Sequence, residues 1–483
     1  MMRNLLPLFV LVFLTINSCS TETESVHQSP EEIIDSEIRQ GNFTIADSLI
    51  NLILEQDLSD SLKGYFAFEQ ERLRRVRMDF RRDEAYIRDK LADYYPDLTD
   101  EMLREWEADK SLEMKIIDGE RRYFNWAHRN LFRVNEEAKK RISIDGNQSD
   151  GITSFCLQFV PEMISRLKSE NASTTGDYNF EITYELAVDS GAVKIGDTLR
   201  AWLPFPKSHK VRQYDIKLLE TSLPDYTIAP DSQWHRSIYF EKPVLETGTQ
   251  EFRIKYQVTT KGEWFGDQLA MIAPFDKNSE LYQTFTSERP PHITFTDDIK
   301  NLADSIAGTE TNPYMIVQKI YNWVDDNFPW ASAREYSTIP NIPAYALENK
   351  HADCGIHTLL FITMVRYKGI PAKWQSGWIL IPGEVGLHDW AEVYFEGLGW
   401  VPVDQSFEKI HDASDDQVKY FYTCGVDPYR LIINDDYGRE FYPAKRYFRS
   451  ETVDFQRGEV ETQDRNLYFN EWGYDMTVKY LEL

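Results

Sequence analysis

The period of apolar positions changes twice along the chain, and each change marks a change of architecture. Between residues 31 and 140, Ile34, Ile38, Ile45, Leu49 and Ile53 recur at helical spacing, with Gly41-Asn42 as a turn between two helices. Leu62, Tyr65, Phe66, Leu73, Val76 and Phe80 continue the pattern. No second copy recurs at a fixed period, so a repeat array is not expected. Residues 142–176 read as a polar connector holding one helix around the apolar segment 156–164. From residue 177 the period becomes two. Phe180, Ile182, Tyr184, Leu186 and Val188 alternate with Glu181, Thr183, Glu185 and Ala187. The runs Leu199, Ala201, Leu203 and Phe252, Ile254, Tyr256, Val258 repeat that alternation, as half-buried antiparallel strands do. Helical spacing returns after Asn312-Pro313, an N-cap and first-turn pair, with Ile316, Ile320, Trp323 and Val324 on one face.

These patterns predict a multidomain chain. An α-helical N-terminal domain spans 33–176, a β-sandwich 177–262 and an α+β core 263–423. A β-rich extension, 424–483, is expected to pack on the core, with its last strand beginning near Met476. A length of 483 residues fits roughly three domains.

Composition narrows the function classes. The net charge of −26 and the lack of a basic stripe interleaved with aromatics exclude nucleic acid as a partner. The cationic group Arg72, Arg74, Arg75 and Arg77 falls within a helical pattern and reads as a solvated helix face. Residues 1–18 combine Arg3, an apolar run over 5–14 too short to span a bilayer, and small residues before a break, the marks of a secretory signal. Residues 19–32 read as a flexible acidic tether. Only four cysteines are present, Cys19, Cys156, Cys354 and Cys424, so this is no disulfide scaffold.

The chemistry concentrates between residues 351 and 404. Cys354 precedes a helix that is apolar almost all round and ends at Gly369 and Pro371. A helix N-terminus would lower a thiol pKa and offer N–H groups to an oxyanion. His388 opens an alternating strand, 388–394, and Asp404 closes the returning strand, 400–404. A hairpin reversing near Glu396 would set the two roughly opposite each other on one face. A nucleophile, a base and a carboxylate that orients the base therefore follow in chain order. The spacing of His351, Cys354 and His357, together with His388, also admits a zinc reading. Nothing else in the chain calls for a metal, and no cofactor or metal is expected. His357 lacks an orienting carboxylate and reads as a packing residue. Trp374, Trp378, Trp390 and Trp400 fit either a groove wall or the buried core.

Cys354, then Gly369-Ile370-Pro371-Ala372, then His388-Asp389-Trp390-Ala391-Glu392-Val393-Tyr394, then Gly399-Trp400-Val401-Pro402-Val403-Asp404 resembles the transglutaminase-like superfamily over about residues 300–410. The resemblance implies a papain-like α+β core with Cys354 as nucleophile, His388 as general base and Asp404 as orienter. It implies acyl transfer from a protein or peptide substrate, with peptide or amide hydrolysis favoured over cross-linking. A catalytically inactive protein- or glycan-binding module on the same fold is the alternative. Many relatives carry Gly where this chain has Ala352, and no calcium loop of the animal enzymes is present. Trp330 stands by position as a candidate for oxyanion or pocket contact. Ile16-Asn17-Ser18-Cys19 resembles the lipobox of bacterial lipoproteins. That implies lipidation of Cys19 and a lipid-anchored place in the bacterial cell envelope, favouring the outer membrane.

Overall fold

The computed structural model describes residues 29–142, 151–209 and 211–481. The signal segment, Cys19 and most of the tether lie outside them. The first helix, Pro30–Arg39, starts inside the stretch read as tether. The Ser29 hydroxyl accepts from the Glu32 N–H while the Glu32 carboxylate accepts from the Ser29 N–H, a reciprocal cap. Phe43–Leu54 and Asp60–Asp79 follow, and Phe43, Ile50, Phe66 and Leu73 close a separate helical core. An antiparallel hairpin, Met114–Ile117 with Glu120–Tyr123, interrupts these helices. Its signal was the Asp118-Gly119 pair, both at positive φ, which is the favoured two-residue hairpin turn. The helical unit also ends earlier than residue 176. The helix Gly151–Glu170 sends Cys156, Val160, Met163 and Leu167 into the same apolar cluster as Ile356 and Leu360 of the α+β core.

Arg75 departs from the expected solvated face. It is fully buried, because the C-terminal segment covers this side of Asp60–Asp79. Its guanidinium donates to the carbonyls of Ser450 (3.0 Å) and Arg449 (2.9 Å) and lies 4.5 Å from the Tyr468 ring centre. These bonds tie the helical unit to residues more than 370 positions away. Arg75→Ala is expected to cost about 2–3 kcal/mol, the worth of charge-assisted bonds to otherwise unmet carbonyls. A lower urea midpoint at unchanged slope would report it.

The middle of the chain forms two antiparallel sheets that residues 177–262 do not complete alone. One runs in the order Asn466–Leu467, Glu459–Glu461, Thr198–Pro204, Ser237–Pro243, Thr227–Ile228. The other runs Trp472–Leu481, Tyr178–Val188, Gln250–Thr260, Gln213–Thr221. The last strand pairs with Tyr178–Val188, Val478 facing Ile182, and also meets the α+β core, where Tyr480 Oη donates to the Leu380 carbonyl at 2.9 Å. Each sheet offers an edge that a C-terminal strand fills. One apolar cluster joins Ile182 and Ile254 to Leu199 and Phe240, and takes in Trp378, Leu380, Leu431 and Ile433 from the neighbouring core sheet.

That core sheet is antiparallel, in the order Gly399–Val403, Glu384–Phe395, Ala372–Ile381, Arg430–Asn434. Its fourth strand comes from the region read as an extension. The helix Cys354–Tyr367 packs against the sheet, with residues 355–366 all buried. Gly369, at φ 72°, ends it, and Pro371 follows. Pro313–Asn327 packs on the same helix, capped by Asn312, which accepts from Tyr314 and Met315 N–H groups. Among the described residues, no helix is long and apolar enough to cross a membrane.

Candidate active site

Cys354 is the first residue of its helix, and the Asp353 side chain caps that helix by accepting from the Ile356 N–H at 3.1 Å. His388 lies on Glu384–Phe395. Gly397, at φ 90°, moves the hairpin reversal one residue beyond Glu396. The register is Ala391 with Val403, so the next step sets Asp404 beside Trp390 and diagonal to His388, on the same face. The imidazole spans that diagonal: His388 Nε2 lies 2.8 Å from Asp404 Oδ2 and 3.0 Å from Oδ1. The ring's other nitrogen, Nδ1, is left to meet a proton donor.

Asp404 is fully buried and shared. Arg430 donates to Asp404 Oδ2 through Nη2 (2.9 Å) and Nε (3.2 Å), and its Nη1 lies 2.9 Å from Asp427 Oδ2. Burial works against the Asp404 carboxylate, but the adjoining His388 and Arg430 hold its pKa below the ordinary value. Tyr321 Oη donates to the Asp404 carbonyl at 2.9 Å, and the Asp404 N–H donates to the Tyr422 carbonyl at 2.8 Å. Sequence reasoning missed Arg430. It lies 26 residues from Asp404, in a strand whose neighbours are apolar, and no spacing links the two.

The thiol's surroundings correct the expected low pKa. Cys354 Sγ donates to Asp389 Oδ2 at 3.2 Å. Burial, then the Asp389 and Asp353 carboxylates, push the thiol well above its ordinary range, and these outweigh the helix N-terminus. Two expected oxyanion donors are also engaged. The Gly355 N–H donates to Tyr336 Oη (3.1 Å), and the Ile356 N–H is held by the Asp353 cap. The thiolate is the reactive form, so a raised pKa means slow labelling at neutral pH. Labelling of Cys354 by a neutral electrophile is expected to climb about tenfold per pH unit, without levelling off below pH ~8.5. Peptide mapping against time checks it.

Cys354 and His388 line one groove of about 1280 Å³, together with Trp330, Phe407 and, from the helical unit, Phe132 and Arg133. Trp330 is 39% exposed and stacks under the Arg133 guanidinium at 4.4 Å, so it forms a groove wall. The other aromatics divide differently: Trp374, Trp378 and Trp390 are buried in the core, while Trp400 packs against Phe285 and Tyr394. His357 Nε2 lies 2.8 Å from the Phe328 carbonyl, and His351 packs on Tyr345. The three described cysteines are all unpaired, with Cys156 and Cys424 buried.

Residues 300–405 match the transglutaminase-like superfamily, so this part of the chain is a transglutaminase-like domain. A Haemophilus influenzae protein of uncharacterised function is 23% identical over 267 residues, which is 47% of this chain and 68% of the relative. A Cytophaga hutchinsonii structure, described as that of a candidate cysteine protease, is 15% identical. It covers 64% of this chain and 93% of its own, with a TM-score of 0.43. The periplasmic domain of TgpA from Pseudomonas aeruginosa is 12% identical and covers 49% of this chain and 93% of its own, with a TM-score of 0.25.

Proposed function

We propose that the chain is an exported, lipid-anchored thiol enzyme that hydrolyses peptide or amide bonds through an acyl-enzyme on Cys354. The observation behind this reading is the meeting in one groove of Cys354, at the start of a buried helix, and a His388 ring fixed by Asp404. The Cys354 sulfur attacks the substrate carbonyl as its proton passes to His388 Nδ1. His388 returns that proton to the leaving amine as the C–N bond breaks. Water then attacks the thioester and gives its proton to His388. The S–C bond breaks and the thiol is restored. Buried Asp404 stabilises the imidazolium at each stage. The thiol must first leave Asp389, because a proton held there is not available to His388. Export and anchoring rest on the leader and on Cys19.

Acid quenching of residues 20–483 during turnover of a peptide library, followed by peptide mapping, tests the reading. A thioester adduct on Cys354 is expected. Turnover with Cys354 unmodified, or an adduct only on Cys156 or Cys424, would refute it.

A further inference from the structure

The bond from His388 Nε2 to Asp404 fixes one edge of the imidazole, and the ring can still tilt about that bond. Its neighbours decide the tilt. Trp390, two residues along the same strand, lies over one face with ring centres 5.9 Å apart and planes 22° apart. Phe407 meets the ring edge-on at 5.0 Å and is itself stacked on Arg430. Trp390 is held by a polar contact instead: its Nε1–H donates to Gln375 Oε1 at 2.7 Å.

Gln375 stands directly opposite Trp390 across the strand pair and is fully buried. Its Oε1 accepts a second bond from Arg212 Nη1 at 3.0 Å, and its Nε2 donates to Asp435 Oδ1 at 2.9 Å. Two donors on one atom and a carboxylate on the other leave the amide one orientation. Arg212 comes from another unit of the fold. It precedes Gln213–Thr221, the edge strand of the second sheet, and lies 163 positions from Gln375. Arg212 is buried too, 3.6 Å from Glu392 and 3.7 Å from Glu263, while Lys373 bridges Glu392 at 2.9 Å and Asp435 at 2.6 Å. Such a network carries a desolvation cost that an apolar seam avoids, and what it supplies is a fixed geometry. Neither Gln375 nor Trp390 lines the groove, so that geometry reaches the chemistry only through His388.

We propose that Gln375 is a positioning residue for His388: fixed by Arg212 and Asp435, it holds the Trp390 indole, and the indole holds the imidazole. The inference rests on the proposed acyl transfer at Cys354 and adds how its base is aimed. It also gives the two-sheet unit a part in the reaction, since Arg212 belongs to that unit and the ring it steadies belongs to the core. A base that passes a proton from sulfur to a leaving amine must keep Nδ1 on one line through both transfers, and a small tilt is felt in the rate and not in substrate binding.

Isotope-labelled histidine NMR reads the ring without any substrate, with the His388 signals assigned by their loss in His388→Gln. The neutral ring of wild type should show one tautomer, protonated on Nε2, where Asp404 accepts. Gln375→Met keeps the volume and removes the acceptor. It should mix the two tautomers and lower kcat about tenfold, with KM changed by no more than about twofold. Trp390→Phe keeps a ring beside His388 and removes the N–H, and it should do the same. The double variant should lose no more than about twofold beyond either single change, because both break one link. Additive losses, or a folded Gln375→Met with the kcat and tautomer of wild type, overturn the proposal. Where Gln375→Met does not fold, Trp390→Phe decides: an unaltered kcat and tautomer overturn it equally. A tautomer that responds to Gln375→Met in a protein that turns over no amide would sink the acyl-transfer reading alone. Cys354-dependent turnover with a ring indifferent to both changes would sink the positioning role alone.

Discussion

Cys354→Ala is expected to lower kcat/KM on amide substrates by on the order of 10⁴-fold or more while leaving the fold intact. In the proposed reaction the Cys354 sulfur is the acyl carrier, and no other described cysteine reaches the groove: Cys156 lies 3.3 Å from Tyr422 Oη inside the core, and Cys424 is buried. The loss of stability should be small, because the thiol's bond is to a carboxylate that works against its charge. His388→Ala should cost a similar factor, and the double variant should lose no more than either single change. Groups that act in one step fail together, so additive losses would show that His388 serves another step. Steady-state rates over a range of substrate concentration, with thermal unfolding as the control, give the comparison. Wild-type rates from Cys354→Ala would leave the groove as a binding surface.

The parts of this site legible in the sequence are those fixed by local rules. Cys354 at a helix start followed from the apolar run and from Gly369 and Pro371, whose limits act within a few residues. His388 and Asp404 on one face followed from the period of a strand. Their offset did not, because Gly397 shifts the turn by one residue and the register with it. Long-range partners left no trace. Arg430 reaches Asp404 from a separate strand, Gln456 reaches Asp389 from 67 positions away, and Arg75 meets the carbonyls of Arg449 and Ser450. Each is a polar residue in an unremarkable local pattern whose value comes from what the fold brings beside it. The thiol pKa went astray for the same reason. The helix terminus is local and visible, whereas the carboxylates that outweigh it include Asp389, 35 residues along the chain.

Arg430→Met is expected to cost about 3–5 kcal/mol of stability and most of the activity, a larger loss than a surface ion pair would give. Arg430, Asp404 and Asp427 are all 0–1% exposed, so removing the guanidinium strands two carboxylates in a dry interior. Arg430→Lys should recover only part of this, since one ammonium cannot reproduce a planar fork that serves Asp404 through two nitrogens and Asp427 through a third. The Phe407 ring, 3.9 Å from the guanidinium carbon, adds a stacked contact that Lys does not match. The pH dependence has a definite sign. Asp404 has a depressed pKa in the folded state, so its stabilisation is present above the unfolded carboxylate pKa of ~3.9 and is lost as pH falls through the lower folded value. The gap between wild type and Arg430→Met should therefore be widest near neutral pH and narrow on acidification, as protonation removes the charge that Arg430 offsets. Urea unfolding from pH 7 to pH 3 measures it. A gap that stays constant across that range would mean that Arg430 acts through packing on Phe407 and not through Asp404.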